Sequence, residues 1–261
     1  MFKNNYLKNI LRNQRIRKYI LFVFHNFKKD VSLFFPNINS FSEVIPENIY
    51  PYRKTNLCAL FQKYHSDKGS FVGIGMHNYS TIYDVLFNDF IGKNVSLFEM
   101  GIGTLDFKIQ SNMGLKGNPG ASLLAWRDYF VNAIIYAADI DKSILFNDQN
   151  ISTFYCDQTS STSIKDLIIN TDFKTFDIVI DDGLHTFDAN KIFFENFKSQ
   201  LNLYGFYIIE DVLNSEIYKW ENYKKEITED FICSIVKVPN LFNFWDNNIV
   251  VLKKVHTKYD F

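Results

Sequence analysis

A histidine stands three residues after an aspartate in Asp182-Gly-Leu-His185, and an acidic pair, Glu210-Asp211, closes the next short apolar run. Carboxylates are hard oxygen donors suited to Mg²⁺ or Mn²⁺, ions that keep positions open for water or substrate. Histidine, with an unperturbed pKa near 6.5, is suited to moving a proton at neutral pH. A histidine alone after a strand is ordinarily structural. The company of the acids is what singles out His185.

More acids close other apolar runs. Glu99-Met-Gly101-Ile-Gly103-Thr104 is a glycine turn, Asp139 ends the next run, and Asp157-Gln158 ends the one after that. In an open α/β sheet, ligands sit outside the carboxyl ends of the strands, at the topological switch point. Helix capping explains Asp157 or Asp211 singly, but not an acid at every strand end. The glycines let backbone approach a ligand closely. Asp106 stands where G-x-G-x-x-G has its third glycine, and no helix opens directly behind, so a phosphate cradle is poorly supported. An acid ahead of the glycines faces a cationic ligand instead. Asp139 is placed to accept the two ribose hydroxyls of a nucleoside, and Asp157-Gln158 to lie near an adenine edge.

The elements that must carry these residues follow from apolar patterning. Short apolar runs at 95–100, 133–138, 152–156, 176–180 and 204–209 read as buried strands. Helical patterns at 122–130, 161–169 and 187–201 lie between them, and 56–64 and 79–90 precede them. Residues 215–229 read as a polar, exposed helix, and 231–238 and 249–252 as two last strands joined by a loop. Strands alternating with helices give an α/β fold with a mostly parallel sheet covered on both faces, its last strand antiparallel. Trp126 and Tyr129 fit a core face. Phe242, Phe244 and Trp245 are candidates to line an acceptor pocket.

Of 261 residues, 47% are hydrophobic and 22% charged, which excludes a disordered chain. The net charge of −1 hides an asymmetry: residues 1–29 carry eight Lys or Arg and no acid, leaving the remainder at −9. The acidic body argues against a nucleic-acid groove and suits a divalent cation. Residues 1–56 read as a basic amphipathic helix and a proline-bearing connecting arm, and 57–261 as the catalytic domain. The helix either packs on the domain or a second subunit, or contacts an anionic membrane surface or partner. Cys58, Cys156 and Cys233 form no paired motif, so reduced thiols in a cytoplasmic protein are expected. The apolar run 19–24 is short and lacks a cleavage site, and no run reaches membrane-spanning length.

Glu99-Met-Gly-Ile-Gly103, Gly120-Ala-Ser-Leu123 with Trp126, Ala138-Asp139-Ile-Asp141, Asp157-Gln158, Ile180-Asp-Asp-Gly-Leu-His185 and Ile209-Glu-Asp211 together resemble class I S-adenosylmethionine-dependent methyltransferases. The closest group is the metal-dependent sugar O-methyltransferases of the mycinamicin type and relatives in bacterial surface-polysaccharide clusters. Ser66-Asp-Lys-Gly69, His77-x-Tyr79 and Tyr83 resemble the segment ahead of that family's first strand. The resemblance covers residues 57–254. It implies a Rossmann-like sheet of order 3-2-1-4-5-7-6, with S-adenosylmethionine along strands 1 to 3. Glu99, Gly101, Gly103, Thr104 and Ser122 would face the methionine part, Asp139 the ribose and Asp157 with Gln158 the adenine. Asp181 is a further donor-site candidate, although strand alternation would turn it away.

The resemblance also implies that Asp182, Glu210 and Asp211 hold a divalent metal, Mg²⁺ for preference, and that His185 is the general base, with Asp182 beside it at the reacting atoms. The acceptor would be a sugar hydroxyl in a small or nucleotide-linked molecule, in capsule or other surface-polysaccharide biosynthesis, and the enzyme a homo-oligomer. Competing readings are a phenol or catechol acceptor, a nicotinamide-dependent oxidoreductase on the same sheet, and a non-catalytic interaction protein working through its basic helix.

Overall fold

The computed structural model describes residues 55–69, 77–114, 117–227, 230–238, 240, 243 and 245–255. The basic helix and arm expected at the amino end lie outside the described residues, as do Phe242 and Phe244. Helix α1 (Asn56–Tyr64) is capped by Thr55, whose Oγ1 accepts from the Cys58 N–H at 3.0 Å, and it stops at His65 in the left-handed region. Helix α2 (Ser80–Leu86) runs into a 3₁₀ turn at Asn88–Phe90, so the helix expected over 79–90 is broken near its end.

The sheet has eight strands: β1 (Ser96–Met100), β2 (Ile134–Asp139), β3 (Asn147–Asp148), β4 (Ile151–Tyr155), β5 (Phe176–Asp181), β6 (Leu201–Ile209), β7 (Phe231–Lys237) and β8 (Asn248–Lys254). Their order is β3-β4-β2-β1-β5-β6-β8-β7. Without the two-residue β3, this is the expected 3-2-1-4-5-7-6. From β4 to β6 neighbours are parallel, and β8 is antiparallel to both β6 and β7. The edge strand β3 pairs antiparallel with β4 and is too short to leave a periodic signal in the sequence.

Successive strand residues face opposite sides, so each strand feeds two cores. On one face Leu97, Ile135, Ile178, Ile180 and Ile208 pack with Phe61, Tyr83 and Trp126, drawn from α1, α2 and α3 (Ala121–Tyr129), and with Phe87 and Phe130, which follow α2 and α3. On the other, Phe98, Val179, Tyr207 and Val250 pack with Ile164 and Leu167 of α4 (Ser161–Asn170) and with Phe193, Phe194 and Phe197 of α5 (Phe187–Phe197). Burial on both faces is why the strands read as unbroken apolar runs.

The helix expected over 215–229 is corrected. Among the described residues of that span the structure forms only α6 (Ile217–Tyr223), and it is not an exposed helix, because Trp220 and Tyr223 are buried in the second core. Their spacing of three places both rings on one face, where Trp220 meets Phe187 edge-on at 4.9 Å. Cys58, Cys156 and Cys233 are buried and form no disulfide. Among the described residues no helix is long and apolar enough to cross a membrane.

Candidate active site

The carboxyl ends of β1, β2, β4, β5 and β6 open on one pocket of about 690 Å³. On its β1 side the chain turns through Gly101 at φ 86° and Gly103 at φ 87°. A Cβ on Gly101 would lie 2.1 Å from the Asp182 carbonyl oxygen, so only glycine lets the two strand ends approach this closely. Asp139, at the end of β2, accepts from the Ile102 and Asp141 N–H groups, each at 2.9 Å. Burial raises its pKa and these backbone bonds oppose the rise. Asp139 thus braces the glycine turn as well as lining the pocket.

The other donor-side residues divide. Gly101, Gly103, Thr104, Ser122, Asp157 and Gln158 line the pocket. Thr104 Oγ1 donates to Asp141 at 2.5 Å, and Asp157 accepts from the Thr159 N–H at 2.9 Å. Gln158 is a brace: its Nε2 donates to Asp181 at 2.5 Å and its Oε1 accepts from the Leu184 N–H at 2.8 Å. Asp181 is fully buried, takes the Tyr207 hydroxyl at 3.3 Å, and is absent from the pocket wall. It is the neighbour of Asp182 in an extended strand, and alternation turns it to the opposite face. Burial pushes it up to about 6. Glu99 is likewise fully buried behind the wall. It accepts from Trp126 Nε1 at 2.8 Å and is pushed up to about 7, chiefly by burial. Glu99 and Asp181, expected among the donor-site residues, thus stand behind the pocket wall.

On the β5–β6 side, Asp182, His185 and Asp211 each offer a ligand atom, and these atoms lie within 4.8 Å of one another. His185 and Asp211 both sit in the left-handed region, at φ 58° and 53°, in the turns that follow the strands. His185 Nε2 is 3.8 Å from Asp211 Oδ2. Asp211 Oδ1 takes the Tyr79 hydroxyl at 2.7 Å and lies 3.3 Å from His77 Nδ1. Burial alone would raise Asp211, but His77, His185 and Tyr79 outweigh it and hold the carboxyl below its ordinary range. The two carboxylates are hard oxygen donors that fit a divalent cation, with the His185 imidazole beside them.

Glu210 is set apart from that trio. It is 1% exposed, its Oε2 accepts from Lys68 Nζ at 2.6 Å, and its Oε1 accepts from the Tyr83 hydroxyl. Lys68 Nζ also meets Asp182 Oδ2 at 2.5 Å and stands 3.6 Å from Glu99 Oε1. The lysine is delivered by the turn after α1, whose Asp67 and Lys68 carbonyls accept from the His77 and Ser80 N–H groups, both at 3.0 Å.

Sequence reasoning assigned no role to Lys68, Tyr79, Tyr83 or Asp246. The first three lie in the segment noted for its resemblance, but their partners are more than a hundred residues away. Asp246, in the loop before β8, lines the pocket beside Asp211 and His185; its neighbour Trp245 is 45% exposed and is not part of the wall.

No family model matches the chain. It is 30% identical over 159 residues to 8-demethyl-8-alpha-L-rhamnosyl tetracenomycin-C 2'-O-methyltransferase of Streptomyces olivaceus, covering 61% of this chain and 38% of that protein. It is 30% identical over 162 residues to mycinamicin VI 2''-O-methyltransferase of Micromonospora griseorubida, covering 61% and 37%. It is 29% identical over 137 residues to demethylmacrocin O-methyltransferase of Streptomyces fradiae, covering 52% and 32%. The chain thus spans less than two fifths of the length of these relatives. Among solved structures, the MycE methyltransferase of the mycinamycin pathway, in complex with Mg and SAH, aligns with a TM-score of 0.59 at 22% identity, over 80% of this chain and 57% of that one. The fold is the Rossmann-like fold of class I S-adenosylmethionine-dependent methyltransferases, and in sequence the chain resembles those that methylate sugar hydroxyls.

Proposed function

We propose that the protein transfers the methyl group of S-adenosylmethionine to a sugar hydroxyl with the help of a divalent metal. The observation that carries this is the convergence of Asp182, His185 and Asp211 in the pocket that Gly101, Gly103 and Asp139 also line. The sugar is supported by the names of the relatives. The setting, a surface-polysaccharide sugar, is supported by the family resemblance read from the sequence.

The chain's own groups have distinct tasks in this reading. Asp139 orients the donor's ribose, and the glycine turn leaves room for the methionine part. Asp182, Glu210 and Asp211 would hold a divalent ion, which when bound lowers the pKa of a chelated hydroxyl and fixes its orientation. His185 Nε2 takes the proton from the acceptor hydroxyl. Asp211 beside it stabilises the imidazolium that results, and the Tyr79 hydroxyl fixes the Asp211 carboxylate. Much of the rate comes from holding the acceptor oxygen in line with the donor methyl.

The test is turnover of S-adenosylmethionine against a panel of rhamnosides and nucleotide sugars, with EDTA and with added Mg²⁺. Activity lost on chelation and restored by Mg²⁺ is expected; turnover indifferent to EDTA removes the metal from the mechanism. Calorimetry with S-adenosylhomocysteine and with NAD separates methyl transfer from hydride transfer, and tight NAD binding would sink the proposal.

A further inference from the structure

Lys68 is the buried cation of the acidic site. It is 2% exposed, and its ammonium touches Asp182 from the end of β5 and Glu210 from the end of β6, with Glu99 of β1 at 3.6 Å. Three neighbouring strands therefore direct carboxylates at one Nζ. Removing an ammonium from water is costly unless opposite charges compensate. The converse applies to the acids. Without Lys68, Glu99, Asp182, Glu210 and Asp211 would face one another with no lysine or arginine paired to them among the described residues.

Both Glu210 oxygens are engaged, one by Lys68 and one by Tyr83, and Asp182 gives its Oδ2 to Lys68. A divalent ion that draws on Asp182 and Glu210 must share them with this ammonium or displace it. We propose that Lys68 is a resident counter-cation that keeps the acids assembled before a divalent ion arrives and sets the ion's affinity by competing for Asp182 and Glu210. This rests on the metal-dependent reading above. Lys68 is a positioning residue: it acts through Asp182 and Glu210.

Mn²⁺ binding is the direct test, read from the free-ion electron paramagnetic resonance signal and from thermal unfolding of the full chain with and without Mn²⁺. The probes are wild type, Lys68→Met, and Lys68→Gln, which keeps hydrogen-bond donors without the charge. Loss of a like charge in contact with the ligands should tighten Mn²⁺ binding about tenfold or more in both variants. Mn²⁺ should also raise the unfolding temperature more in the variants than in wild type. Folded variants with equal or weaker affinity overturn the proposal. So does failure of both variants to fold in saturating Mn²⁺, because a divalent ion would then not replace the ammonium. Mn²⁺ binding by wild type with unchanged binding in the variants rejects the lysine's role and leaves the metal reading standing. Absence of binding in all three rejects both. Binding by the variants alone supports the competition in its strongest form.

Discussion

His185 Nε2 and Asp211 Oδ2 are 3.8 Å apart, close enough for the carboxylate to stabilise a protonated imidazole through a small adjustment. His185→Ala should lower kcat by about 10² to 10⁴ while leaving S-adenosylhomocysteine affinity unchanged, as read by calorimetry. A parallel loss of ligand binding would instead place His185 in the donor site. Glu99 makes a separate prediction. Its folded-state pKa is near 7 against an ordinary 4.5, mainly because it is buried. An acid raised on folding is stabilising while protonated, and that advantage is lost as pH rises from about 4.5 to about 7. Glu99→Gln fixes the neutral form. Thermal unfolding should show the variant gaining on wild type at pH 8 relative to pH 5, by at most ~3 kcal/mol. An equal difference at both pH values would contradict the burial argument.

At the scale of elements, the site depends on how closely the turns after β1 and β5 approach each other. Gly101 has no room for a Cβ and sits at φ 86°, so Gly101→Ala must push the two strand ends apart. Weaker S-adenosylhomocysteine binding and a lower unfolding temperature are expected together, measured by calorimetry and thermal scanning. Helix α6 shows where polarity misleads. Lys219, Glu221, Lys224 and Lys225 make the segment look solvated, yet Trp220 and Tyr223 supply a narrow core face. Trp220→Ala should destabilise the fold by about 3–5 kcal/mol, seen in denaturant unfolding.

For the whole molecule, the pocket is assembled from five strand ends and from the turn after α1, so an occupied donor site should resist global unfolding. At about 100-fold excess over its Kd, S-adenosylhomocysteine should raise folding stability by about 2.7 kcal/mol. Asp139→Ala, which removes the lining carboxylate and the brace of the glycine turn, should abolish that rise at the same ligand concentration. An undiminished rise would show that the donor does not depend on β2.

The alternation of buried strands and helices and the row of strand-end acids were legible along the chain, because period and apolar run length act over tens of residues; the order of the sheet was implied by the family resemblance. The chain also marked Asp182, His185, Glu210 and Asp211 as companions, because strands ending on the same side of a parallel sheet bring their last residues together. Strand alternation already set Asp181 apart from Asp182, and tertiary structure sends the one to Gln158 and Tyr207 in the core and the other to the pocket. It also decided the fate of Glu210, indistinguishable in sequence from Asp211 beside it, which Lys68 and Tyr83 bind from a distant segment. Charge pairing across more than a hundred residues leaves no periodic trace, so the cation at the centre of the acidic site became visible only once the chain was folded.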